Sequence, residues 1–170
     1  MTMWKQFIVT FPEPGLLIAR PRVEVVPHLE QLASQLFLLG GPIIDLQAAN
    51  ACLSGLWLRF DHFERSHEIS QSLQTSDGSF WHGIAHRREG DFENACYWFR
   101  RMGENPAEAA IRSKIDSMAL TEDEPPYSAA NFTRMVQKGA NKPSLLKIQE
   151  IEWQMLFEDC RKRALGTSPD

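Results

Sequence analysis

The chain has no pair of cysteines at metal-ligand spacing and too few for a disulfide framework. Cys52, Cys96 and Cys160 are odd in number and far apart, so a stapled scaffold and a cysteine zinc site are excluded and the three read as reduced thiols. Long apolar runs are missing as well. The stretch from Leu36 to Ile44 is too short to span a bilayer and is broken by Gly40, Gly41 and Pro42. Met1 to Phe11 has neither the basic start nor the long apolar core of a signal peptide, so a cytoplasmic location without a membrane partner is expected. Nor is there an excess of positive charge. Against 18 Lys and Arg stand 22 Asp and Glu, a net charge of -4, which gives no long-range attraction for phosphate backbones and no expected nucleic-acid role. Gly40-Gly41-Pro42 lacks the Lys and Ser or Thr of a nucleotide-binding loop, so no nucleotide cofactor is indicated. Ser66, Ser70 and Ser79 sit in no nucleophile-elbow pattern, and a serine hydrolase is set aside.

What is present is ordinary globular material: 43% hydrophobic and 24% charged residues argue against disorder and for one domain over residues 1–170. Pro12, Pro14, Gly15 and Pro21 forbid a helix at the start, so residues 1–26 read as a short extended arm or small edge hairpin packed on the body. Beyond it the pattern is helical. Leu29, Leu32, Ala33, Leu36 and Phe37 predict a helix over about 28–39, and Leu46, Ala49, Leu53, Leu56, Trp57 and Phe60 mark a second beside it. Asp61 to Gln74 is helical but polar. Thr75 to Gly78 reads as a turn, with Ser79 as the cap of a helix running to Glu89. Gly90 and Asp91 close that helix and open the next, to about Met102, which forces an antiparallel hairpin over 79–102. Asn105 and Pro106 open a helix to about Leu120. Residues 121–127 read as an exposed linker, Ser128–Lys138 and Ser144–Leu165 as two more helices, and 166–170 as a loose tail.

Residues 80–106 resemble a single tetratricopeptide unit: Gly83 stands in the close-contact slot, Gly90 at the turn, Phe92 after it, Ala95 where the arms cross, and Phe99 near the end. The wider stretch from Asp61 to Pro106, with Ser-His-Glu-Ile-Ser-Gln at 66–71, is similar to a family of uncharacterised proteins of bacteria and fungi. The resemblance implies an all-α fold of antiparallel helical hairpins with tetratricopeptide-like packing. It implies no activity, substrate or catalytic residue. No second copy of the pattern follows, so a hairpin is expected rather than an array.

His82 and His86 fall at slots that usually hold a large apolar residue and a tyrosine, which carries two imidazoles toward the buried seam. Four residues apart on a helix, they lie one turn apart on one face, the spacing with which two imidazoles take one metal ion. Glu89 shares that face, and His67, with His62 and Asp61, can join if the preceding segment folds back. A zinc-protease motif is excluded, because Gly83 stands where its Glu belongs. Histidines that hydrogen-bond to neighbouring helices are the commoner arrangement and are preferred here to a metal. Arg87 and Arg88, with Arg100 and Arg101, form a candidate basic patch for a phosphate or carboxylate, set against surface pairing with Glu89, Asp91 or Glu93. The aromatics Phe80, Trp81, Tyr97, Trp98 and Phe99 read as core rather than a ligand groove. The leading expectation is thus a binding or interaction module for a protein or a small anionic ligand, using His67, His82, His86, Arg87, Arg88 and Glu89, with no cofactor required. The alternative is a small metal- or anion-dependent enzyme built on His67, His82, His86 and Glu89, a divalent metal resting on His82 and His86.

Overall fold

The computed structural model describes residue 10 and residues 13–121, 124–139 and 143–166. Regular structure among them is helical throughout, as the periodicity requires, with no strand. Eight α-helices follow one another: α1 (Val26–Ser34), α2 (Leu46–Arg59), α3 (Phe63–Ser72), α4 (Ser76–Glu89), α5 (Phe92–Met102), α6 (Pro106–Ser117), α7 (Ala129–Gln137) and α8 (Pro143–Leu165). Helix α4 is the hub, packed on α2, α3 and α5, while the long α8 closes the other side against α2, α6 and α7. No helix among the described residues is long and apolar enough to cross a membrane. All three cysteines are free thiols, and burial pushes the Cys52 and Cys160 thiols up well above their ordinary range.

Boundaries differ from the sequence reading at points where caps compete. Helix α4 begins at Ser76 because the Thr75 hydroxyl accepts from the Gly78 amide at 3.1 Å, which leaves Ser79 inside the first turn rather than capping it. The first predicted helix stops at Ser34, where Gln35 turns to φ −135°, ψ 63°, and a 3-10 turn at Leu36–Leu39 completes it. The linker over 121–127 ends in a buried residue, not an exposed one: the Tyr127 hydroxyl donates to Glu152 at 2.8 Å in the core. Of the N-terminal arm, residues 1–9, 11 and 12 lie outside the described residues, as does the tail after 166; of the rest, residue 10 is helical and Val23–Val25 form a 3-10 turn that leads into α1. From residue 13 onward the arm runs without helix to Arg22, tied down where the Ile18 amide donates to the Arg88 carbonyl at 2.8 Å.

The hairpin of α4 and α5 is built as its residues dictate. Gly90 takes φ 96°, a left-handed conformation costly for other residues, and its amide donates to the His86 and Arg87 carbonyls. The Asp91 carboxylate then accepts from the Asn94 amide and caps α5, which starts at the next residue, Phe92. Ala95 is fully buried at the crossing. The space beside Gly83 is filled by Phe99, whose Cε1 would lie 2.4 Å from a Cβ at that position. Gly83→Ala is therefore expected to destabilise the protein by about 1–3 kcal/mol through overpacking. Chemical denaturation of Gly83→Ala and of Gly83→Ala/Phe99→Leu checks this: the smaller ring should recover part of the loss, and wild-type stability in the single variant would contradict the packing.

Candidate metal centre

Helices α3 and α4 are joined by only three residues, 73–75, and so fold back on one another. This brings His67 from α3 against His82 and His86 from α4, the fold-back that the sequence left conditional. The ring centroids are 4.3 Å apart for His67 and His82, 5.1 Å for His67 and His86, and 4.7 Å for His82 and His86. One nitrogen of each ring can be chosen so that all three lie within 4.8 Å of one another. His82 is 1% exposed and His86 is buried, while His67 is half-buried at the mouth. The surrounding wall is aromatic, with Trp98 of α5 4.0 Å from His82 and Phe63 of α3 5.2 Å from His67.

The hydrogen bonds around the cluster assign the tautomer of His82. Ser70, one turn after His67, donates its single hydroxyl proton back to the Ser66 carbonyl at 2.8 Å, as helical serines do. Its oxygen therefore accepts from Nδ1–H of His82 at 3.0 Å, which leaves Nε2 of His82 a lone pair. On His86, Nδ1 faces the Glu89 carboxylate at 3.2 Å. That contact is not a hydrogen bond, and Nδ1 of His86 has no hydrogen-bond partner among the described residues. The other nitrogen, Nε2, receives the side-chain amide N–H of Asn94 at 3.1 Å. The two Nε2 atoms face each other at 3.0 Å, within hydrogen-bond distance.

Electrostatics disfavour the charged form of His82 and of His67. Burial first, then the neighbouring His67 and His86, push His82 down to about 3. Burial and His86 also lower His67, with Glu89 opposing. Desolvation disfavours the charged imidazolium, and a second imidazolium beside it would repel.

The structure divides the remaining sequence-predicted residues. Glu89 touches the outer nitrogen of His86 and lies outside the ligating set, so its place is to orient an imidazole rather than to bind an ion. Arg87 and Arg88 form no surface patch. Their side chains point away from the histidines into the core, where Arg87 is 0% exposed and forks onto Glu152 while Arg88 pairs with Asp61 at 2.6 Å. The expected surface partners Glu89, Asp91 and Glu93 are not theirs. Asp61 is thereby spent, and His62 is spent as well, its Nε2 against the Arg22 carbonyl at 3.0 Å. Ser70, Asn94 and Trp98 belong to the site and were not recognised as such from the sequence. Ser70 carried a signal, standing three residues after His67 on the same face. Asn94 is eight residues beyond His86 and reaches it only because Gly90 and Asp91 turn the chain.

A cavity of about 360 Å³ lies on the opposite flank of α4, bounded by Ile84, Arg88, Gln149, Glu152 and Trp153. Arg88 and Glu152 in its wall are already matched, to Asp61 and Arg87, so it is not where the histidine chemistry lies. Compared with known proteins, the chain matches no family model, no curated protein and no solved structure.

Proposed function

We propose that this chain is a divalent-metal protein of the small-enzyme type, with His67, His82 and His86 as ligands of one zinc-class ion. The observation that carries this reading is the convergence of three imidazoles from two helices, one nitrogen of each lying within 4.8 Å of the others. Nitrogens each about 2.0–2.1 Å from a tetrahedral ion stand roughly 3.4 Å apart, so the His82 and His86 pair is within a few tenths of an ångström of that spacing. His67 is the least buried of the three.

Ser70 against Nδ1 of His82 and Glu89 beside Nδ1 of His86 are outer neighbours of the kind, hydroxyl and carboxylate, that usually fix metal-ligating histidines. Three neutral protein ligands leave the ion its full charge and one open position, the arrangement of catalytic rather than structural zinc. An ion so held supplies a bound water acidified toward neutral pH, hence a nucleophile for hydrolysis or hydration. The residues of the chain orient the ligands, exclude bulk water with Phe63 and Trp98, and offer in Asn94 a side-chain amide beside the site. The alternative of a recognition surface anchored by Arg87 and Arg88 loses both cations to the core.

Untagged protein stripped with a chelator and titrated with zinc, or with cobalt for its visible spectrum, is expected to take up one equivalent. Ser70→Ala, which removes only the outer partner of His82, is expected to weaken uptake by about 10–100-fold, and His82→Ala to abolish stoichiometric binding. Wild-type protein that shows no saturable uptake would end this reading.

A further inference from the structure

A second, smaller cavity of about 190 Å³ opens at the N-terminus of α4 and shares the Trp98 wall with the histidine cluster. Gln74, Thr75, Ser76, Ser79, Trp98 and Arg101 line it. Its volume holds a few water-sized groups. Three observations give it a chemical preference. The 14-residue helix α4 presents its positive end there, and while the Thr75 cap satisfies Gly78, the amides of Ser76 and Asp77 have no hydrogen-bond partner among the described residues. Ser79 is only 6% exposed, yet its hydroxyl has no hydrogen-bond partner among those residues either. Arg101 rests on the Trp98 ring at 5.1 Å and meets no carboxylate among them.

The carboxylate nearest this helix end, Asp77, does not compete. It is buried and already held by Arg163 at 2.6 Å and the Asn105 amide at 3.0 Å. What remains is a set of donors of three kinds around one polar hollow: backbone N–H, hydroxyl and guanidinium. Donors spread in this way suit a tetrahedral oxyanion better than a planar one or a cation.

We propose that this cavity binds a small phosphate-like oxyanion on Ser79, Arg101 and the first amides of α4. Ser79 precedes His82 by three residues on the same helix face, about 5–6 Å away, and Trp98 forms one wall of the hollow while packing on His82. The anion is thereby placed beside the imidazole cluster. That it is the anchoring group of a substrate rests on the metal reading above; that it binds does not.

The test uses inorganic phosphate as the probe, with the full-length, chelator-stripped protein and calorimetry or phosphorus NMR. Saturable binding is expected without metal. Arg101→Gln, an exposed position, should lower the affinity about tenfold or more, and Ser79→Ala should lower it severalfold, with zinc uptake unchanged in both. Binding that appears only after zinc is added would overturn the proposal, because the anion would then be a ligand of the ion. Absence of saturable binding, or equal affinity in wild type and both variants, would overturn it too. None of these results bears on whether the histidines take up zinc, which the cobalt spectrum reads separately.

Discussion

Arg87→Met is expected to destabilise the protein by about 3–5 kcal/mol, because it leaves the Glu152 carboxylate buried without its countercharge. Arg87 leaves α4, lies over the Phe132 ring of α7 at 4.4 Å and forks onto Glu152 of α8, which also accepts from Tyr127. One side chain thus ties three helices through an ion pair sealed from water. Desolvating both ions is costly, and their mutual attraction offsets that cost only while both are present. The double variant Arg87→Met/Glu152→Gln should therefore recover much of the loss, since no lone charge remains. Thermal unfolding should show the single variant melting roughly 10 °C or more below wild type. A single variant as stable as the double would contradict the account.

Acidification is expected to weaken the metal-free protein below pH 6.5 with a slope that traces to His82. Its folded value is about 3, against about 6.5 for an exposed imidazole. Above pH 6.5 the ring is neutral in both states and the folded protein suffers no penalty. Between pH 6.5 and about 3 the unfolded chain binds a proton that the folded chain refuses, so stability falls by roughly 1.4 kcal/mol per pH unit. His67, lowered by burial and by His86, acts in the same direction. Denaturant unfolding at pH 7 and pH 5 should thus differ by about 2 kcal/mol from His82 alone, and His82→Gln should flatten that part of the profile. Equal stability of wild type at the two pH values would show that the ring is not held neutral.

The class and order of helices were legible in the sequence because glycine, proline and capping residues punctuate it clearly. The hairpin turn needed only Gly90 and Asp91. Helix α4 was harder to read, since it is buried almost all round and has no polar face: Asp77, Ser79, His82, His86, Arg87 and Arg88 are all inside. A run of His, Arg and Glu on a helix ordinarily marks a solvated face, so the two arginines read as surface. Their partners, Asp61 and Glu152, stand 27 and 65 residues away, and nothing local announces them. The imidazole pair was visible from its spacing alone, and the third ring required only that α3 fold back. The tautomers were not visible, because they depend on which atom Ser70, Glu89 and Asn94 turn toward each ring.

The short connectors on either side of α4 have a further consequence for how the cluster comes together. All three rings lie between residues 67 and 86, so gathering them closes only small loops of chain and costs little loop entropy. The three rings are gathered once α3 meets α4, whereas the Arg87 clamp also needs α8, from the far end of the sequence. An ion held by the three rings would secure this early-formed corner of the molecule and leave the later, long-range closure to the buried ion pairs.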